Sequence, residues 1–184
     1  FNAEEDASFY LTADGNQTVH GRSETKNIFH IGGNQKLIYG GNKDDVFLLN
    51  EGYRDPDSRN AGHLWGNGGT DTIIINGAAA QGQNHYINLD GSKKSNGPAT
   101  DFYAHDIENV IGSADGVDDI FGNEQDNYLN GRGTGNSGDD KLYGEGGNDT
   151  LVVSDRTIAY GGSGKDVFVV PDNGESSQQS IIKD

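Results

Sequence analysis

The chain has 184 residues, of which 32% are hydrophobic and 29 are glycine, and its 13 basic and 29 acidic side chains leave a formal net charge of −16. Such a composition sits near the disordered class and cannot supply an ordinary globular core, so something positive must offset the self-repulsion and tie the chain together. The same balance excludes a basic face for nucleic acid and an anionic membrane surface, no apolar run is long enough for a membrane span or signal peptide, and the absence of cysteine removes disulfides and thiolate sites.

In chain order, residues 1–18 carry a short aromatic run, SFYLT, and a turn at Asp14-Gly15-Asn16, which predicts a strand or two capping whatever follows. Residues 19–75 then show a nine-residue step, with Phe29, Ile38 and Phe47 as its apolar marks. The turn before Phe47 reads Gly40-Gly41-Asn42-Lys43-Asp44-Asp45, and a similar turn at Gly66–Asp71 precedes the β-branched run Thr72–Ile75. A polar stretch at 49–63 is out of register and reads as an inserted loop. Residues 76–106 break the repeat: HYINLDG predicts a strand, SKKSNGPA a loop, and DFYAHDIENVIG an extended return, together a hairpin-like excursion. Residues 107–170 hold the main repeats, and 171–184 form a terminal cap or the start of a further segment. The ends at Phe1 and Asp184 suggest a piece of a longer protein organised here as one domain.

The words GEGGNDTLV from Gly144 and GGSGKDVFV from Gly161 show why the repeat has its form. Both follow G-G-x-G-x-D-x-U-x, with U a large apolar residue, the first word departing from it at Glu145. Glycines at the first, second and fourth places permit positive φ, so six residues can reverse the chain with their carbonyls converging. An aspartate at the sixth place adds a charged oxygen of the type hard divalent cations prefer. The last three residues make a minimal strand whose middle side chain points inward. Registered on U, Ile120, Leu129, Leu142 and Leu151 are followed by Ala159 and Phe168, with four extra residues at 134–137 absorbed in a turn. The sixth place then holds Asp118, Asn127, Asp140, Asp149 and Asp166, with Thr157 in a degenerate word, and Asp45 and Asp71 in the earlier half. Two words make one coil of a flattened spiral, so alternate turns stack. Metal is therefore expected between the turns of Asp118 and Asp140, of Asn127 and Asp149, and of Asp149 and Asp166. The Asn127 site should be weaker for want of a charge. Asn27 and Lys36 fall at the sixth place in the first coils, and a lysine there would occupy or repel a metal, so this side should be partly metal-free.

These words, with IENVIGS leading into them, resemble the RTX (repeat-in-toxin) nonapeptide family of calcium-binding β-roll proteins, strongly over about 107–170 and more weakly before it. The resemblance implies an all-β fold, a parallel β-roll or β-helix solenoid of short strands joined by Gly/Asp turns. It implies several Ca²⁺ ions held by the sixth-place side chains and by turn carbonyls, here those of Gly112, Ala114, Gly131, Gly133, Gly144, Gly146, Gly161 and Ser163. It also implies export by a bacterial type I secretion machinery, a chain unfolded in the calcium-poor cytoplasm, and folding outside the cell, as part of a toxin, exoenzyme or adhesin. Departures at Lys36, Asn27 and Asn127, and at the fourth-place Lys43 and Gln125, put individual sites in doubt rather than the module.

The readings set against this are weaker. Five histidines lack the short spacing of zinc sites. No nucleophile elbow, phosphate loop or paired-carboxylate motif is present, so the chain is read as no enzyme. An enzymatic alternative would be a polysaccharide-acting β-helix or a self-processing segment at the labile Asp55-Pro56 bond. An adhesin alternative would place a host-surface glycan or receptor near Trp65, whose outward position beside Tyr39, Tyr143 and Tyr160 is more simply read as part of a stacked surface ladder.

Overall fold

A computed structural model describes residues 5–11, 15–33, 36–50, 61–76, 84–97, 101–114, 116–133, 139–171 and 180–183. The Asp55-Pro56 bond and the insertion at 134–137 lie outside the described residues. The strands in chain order are β1 (Ala7–Leu11), β2 (Gln17–His20), β3 (Asn27–Ile31), β4 (Lys36–Tyr39), β5 (Val46–Asn50), β6 (Gly62–Trp65), β7 (Thr72–Asn76), β8 (Asn84–Asn88) and β9 (Ser95–Asn96). They continue as β10 (Asp101–His105), β11 (Asn109–Ile111), β12 (Val117–Phe121), β13 (Tyr128–Asn130), β14 (Lys141–Tyr143), β15 (Thr150–Val152), β16 (Ile158–Tyr160), β17 (Val167–Val169) and β18 (Ile181–Lys183).

These strands form two sheets, and no helix occurs among the described residues. One sheet runs β1-β3-β5-β7-β11-β13-β15-β17, and the other runs β18-β16-β14-β12-β8-β9-β10-β6-β4-β2. Successive strands alternate between the sheets over most of the chain, which is a parallel β-roll: each coil contributes one strand to each sheet. The antiparallel pairings are those of β9 with β8 and β10. There the second sheet gains two strands that the first lacks, which is how the excursion at 76–106 is accommodated.

Inward side chains stack in files because parallel register places like positions over one another. Phe9, Phe29, Phe47, Ile73, Val110, Leu129, Leu151 and Phe168 form one such file. Ile87, Ile120, Leu142 and Ala159 face it from the other sheet. All of these except Phe9 and Phe168 are fully buried. The nine-residue marks from the sequence are thus the core. Several boundaries differ from the sequence reading. β1 and β2 pair with β3 and β4, so the expected N-terminal cap is the first coil. Leu49 and Asn50 belong to β5 and Gly62 and His63 to β6, because their alternation continues the sheets into what had been read as loop.

Candidate metal centres

The turns between strands line the two long edges of the roll. Along one edge, turns lead from the second sheet into the first, and the sixth-place residues Asn27, Asp45, Asp71, Asn127, Asp149 and Asp166 stack there. Along the other edge stack Asp118 and Asp140. Asp45, Asp71, Asp118 and Asp149 are wholly buried and Asp140 nearly so.

Each of these carboxylates but Asp118 divides its oxygens between two tasks. Oδ1 accepts the backbone N–H of the sixth-place residue one coil earlier. Asn27 N–H donates to Asp45 at 2.7 Å, Asp45 N–H to Asp71 at 2.6 Å, Asn127 N–H to Asp149 at 2.8 Å, and Asp149 N–H to Asp166 at 3.0 Å. Asp118 N–H donates to Asp140 on the opposite edge at 3.0 Å. Oδ2 faces the other way. In Asp71, Asp140, Asp149 and Asp166 this oxygen is buried and has no hydrogen-bond partner. Burying an unpaired carboxylate oxygen is costly, so four repeats of the same orphan imply a missing positive partner.

What surrounds the orphans identifies that partner. A Cβ on Gly144 would overlap both Asp149 Oδ2 and the Gly161 carbonyl oxygen. On Gly112 it would meet Asp118 Oδ2 and the Gly131 carbonyl, on Gly122 the Asn127 side-chain oxygen and the Gly144 carbonyl. Gly40 repeats this with Asp45 and Gly66, and Gly66 with Asp71 and the Asp106 carbonyl. First-place glycine is therefore required by close approach rather than by conformation. Positive φ falls instead at the second and fourth places, as at Glu145 (74°) and Gly147 (106°), or Gly162 (99°) and Gly164 (142°). This corrects the expectation that all three glycines serve the bend. The oxygens crowding each cradle bring no proton to share, those of Asp71 and Asp149 have no donor at all, and clustered hard oxygens are the environment of Ca²⁺. Among the described residues no three His, Cys, Asp or Glu side chains converge, so an ion here must draw on backbone carbonyls.

The three turn pairs predicted to share metal are stacked as expected, each with its cradle. Gly131 and Gly133 both lie against Asp140 Oδ2. Gly146 and Ser163 form a parallel bridge, with Gly146 N–H donating to the Asn123 carbonyl at 3.0 Å and Ser163 N–H to the Glu145 carbonyl at 2.9 Å. Ala114 lies in the turn between β11 and β12. Not every sixth place is orphaned. Asp45 Oδ2 accepts the Gly41 N–H, and Asp118 Oδ2 accepts the Ser113 N–H at 2.7 Å. The asparagines use their amide protons: Asn27 Nδ2 donates to Asp45 Oδ1 and to the Arg22 and Thr25 carbonyls, and Asn127 Nδ2 donates to the Glu108 carbonyl. Lys36 is buried at 1% exposure and its Nζ donates to the Gly15 carbonyl at 3.1 Å, so a fixed ammonium stands at its sixth place.

Two members of these files were not legible in the sequence. Glu108 follows a shortened turn yet takes a sixth place, with its Oε2 accepting the Asp71 N–H at 2.7 Å. His85 is in register with Asp118 and its Nδ1 lies 2.8 Å from Asp118 Oδ1. Neither belongs to a nine-residue word, and only the strand register reveals them.

The electrostatics follow from this stacking. Burial, and then the neighbouring charges of Asp45, Glu108 and Asp44, push the Asp71 carboxyl up to about 7. Burial and the charges of Asp118 and Asp119 raise Asp140 to about 7, and burial with Asp166 and Asp126 raises Asp149 to about 6. Like charges held together out of water prefer protons unless a cation replaces them.

A family model described as the RTX calcium-binding nonapeptide repeat, in 4 copies, matches residues 113–134 and 132–154. No curated protein matches the chain. Residues 113–154 thus carry RTX calcium-binding repeats, within an all-β chain folded as a parallel β-roll.

Proposed function

We propose that this chain is a non-enzymatic, calcium-gated folding module of a secreted bacterial protein, taking up several Ca²⁺ ions outside the cell and stabilising the protein it belongs to. The observation that carries this reading is the set of buried Oδ2 atoms on Asp71, Asp140, Asp149 and Asp166 with no hydrogen-bond donor. Asp149 with the Gly161 carbonyl, Asp118 with Gly131, Asn127 with Gly144, Asp45 with Gly66 and Asp71 with the Asp106 carbonyl would hold the ions. Bound calcium would supply the positive charge that Oδ2 of Asp71 and Asp149 lacks, and at the other three pairs it would add to an oxygen that already accepts a backbone N–H. Because each cradle takes oxygens from two turns, neither turn is complete alone, and folding is cooperative along the edge.

The magnitudes suit a switch. Extracellular calcium modules bind with Kd of roughly 10⁻⁴ to 10⁻³ M. At ten times Kd each site adds about 1.4 kcal/mol, so four or five sites add roughly 6 to 7 kcal/mol. That is comparable with the whole stability of a typical domain, about 5 to 15 kcal/mol. A chain this acidic would stay open where calcium is scarce, as passage through a type I secretion machinery requires, and close where calcium is plentiful. The resemblance to toxins, exoenzymes and adhesins favours such a parent protein. Among the described residues no helix is long and apolar enough to cross a membrane.

Far-ultraviolet circular dichroism during calcium titration from chelator, with magnesium as control, tests the proposal. A calcium-specific gain of β signal in the submillimolar to millimolar range is expected. A spectrum already complete in chelator and indifferent to calcium would overturn it.

A further inference from the structure

The outer face of the second sheet carries a file of stacked rings that is interrupted once. Register places His20, Tyr39, Trp65 and His105 over one another, and beyond the interruption Phe121, Tyr143 and Tyr160. Neighbouring rings stack at 4.4 Å for Tyr39 on Trp65, 5.1 Å for Trp65 on His105 and 4.3 Å for Phe121 on Tyr143. The strand in register with Phe121 presents Asn88 where the file would need another ring. From β10 through β9 and β8 to β12 is three strand spacings, roughly 14 Å. β9 pairs with Asp101 and Phe102 of β10 and with Tyr86 of β8, and Ser95 hydrogen-bonds the Asn88 backbone, so no β9 residue stands in register with His105.

The result is a cleft of about 650 Å³ whose walls include Trp65, His105 and Phe121. Asn88 and Leu89 contribute to its lining. Asn88 is 3% exposed; its side chain hydrogen-bonds Asp90, and its Oδ1 is buried without a hydrogen-bond donor. Among the described residues, four exposed carboxylates, Asp90, Asp106, Glu124 and Glu145, rim the opening against one cation, Lys93. None of these four is a sixth-place residue. The cleft thus combines the ends of two aromatic stacks, a buried acceptor with nothing to accept, and an excess of negative charge. A neutral sugar would use the rings but not the charge, and a metal ion would use the charge but not the rings.

We propose that this cleft is a binding site for a guanidinium group. A guanidinium is planar, stacks on aromatic faces, and carries five donors that pair with carboxylates and amide oxygens. It would continue the interrupted file between His105 and Phe121 while donating to Asn88 Oδ1 and to the acidic rim. The long-range field of a chain with net charge −16 would also draw a cationic ligand toward it.

Trp65 is the one tryptophan in the chain, so its emission reports from the cleft wall. The experiment titrates the calcium-saturated protein with N-acetylarginine amide, and in parallel with N-acetylcitrulline amide, in which a neutral urea replaces the guanidinium, and with a methyl galactoside. A saturable change with the arginine derivative is expected, about ten-fold weaker for the citrulline derivative and weakened by a similar factor in Asp90→Asn or Glu124→Gln. Both variants should keep the calcium-dependent circular dichroism of the parent chain, which separates loss of the ligand from loss of the fold. Free arginine and a Gly-Arg-Gly peptide, run side by side, distinguish the source. Response to free arginine alone supports a small-molecule ligand, and response to both supports an arginine side chain of a polypeptide. No response to any arginine probe, or an equal response to the citrulline derivative or the galactoside, would overturn the proposal.

Discussion

The two halves of the roll are held together differently. In the N-terminal half, β3, β5 and β7 are five residues long and bury two apolar side chains each: Phe29 and Ile31, Phe47 and Leu49, Ile73 and Ile75. Strands β11, β13, β14 and β16 have three residues and bury only the middle one, as with Val110, Leu129, Leu142 and Ala159. The N-terminal turns also carry internal substitutes for a metal, in the amide of Asn27 and the ammonium of Lys36. Among the described residues, three of the four orphaned sixth-place carboxylates, those of Asp140, Asp149 and Asp166, lie in the C-terminal half. Core area and metal charge therefore trade against one another along a single solenoid. Where the strands are long enough to exclude water from two layers of side chains, hydrophobic burial sustains the coil. Where they are not, charge neutralisation must.

The largest expected effect would break that contrast if it failed. Chelation should remove roughly 6 to 7 kcal/mol and strip amide-exchange protection from β11–β17 first, leaving the longest protection in β3–β7. Uniform protection across both halves in chelator would show that the thin core suffices. Phe47→Ala comes next, at a cost of about 3 to 5 kcal/mol in thermal or denaturant melts. The loss should appear with and without calcium, since Phe47 belongs to the layer that does not depend on the ion.

Acidity sharpens the comparison at intermediate size. The raised carboxyls of Asp71, Asp140 and Asp149 mean that the metal-free fold binds protons more tightly than the open chain. Their favourable contribution is complete below the ordinary aspartate value of 3.8 and is lost as pH rises through about 6 to 7. Melting temperature in chelator should fall over that window, while apparent calcium affinity rises, because the ion needs the ionised carboxylate. Parallel melts at pH 5 and pH 8 in chelator, with calcium titrations at both, would check the sign; a chelator melt that improves with pH would refute it. The smallest effect expected is for Asp149→Asn, which imitates the natural amide at Asn127. Calcium-dependent stability should drop by about 1.4 kcal/mol, one site's share. Stability in chelator should hold or improve, because a buried charge is gone. A calorimetric ion count that does not fall would remove Asp149 from the ligands.

Much of the candidate site was legible because it is written with a fixed period. Spacing of nine from Ile120 to Leu129 and from Leu142 to Leu151 marked the inward file, and the residue two places before each marked the stacked Asp118, Asn127, Asp140 and Asp149. The role of first-place glycine was misread as bending because a sequence does not show which oxygen approaches which Cα. Glu145 at φ 74° shows the converse, a side chain accepted at a bend where glycine had been expected to be needed.

The short strands, their parallel coiling and the acidic turn files followed from the sequence alone, since each depends on a local word of nine residues and on alternation within it. What only the tertiary structure decided lies across coils. Glu108 and His85 enter the edge files through register with strands 33 or more residues away. The cleft beside Trp65 exists because β8, β9 and β10 widen one sheet and not the other. Such features depend on which strand becomes whose neighbour, and a repeat that varies the length of its excursions leaves that choice to the packing of the whole roll.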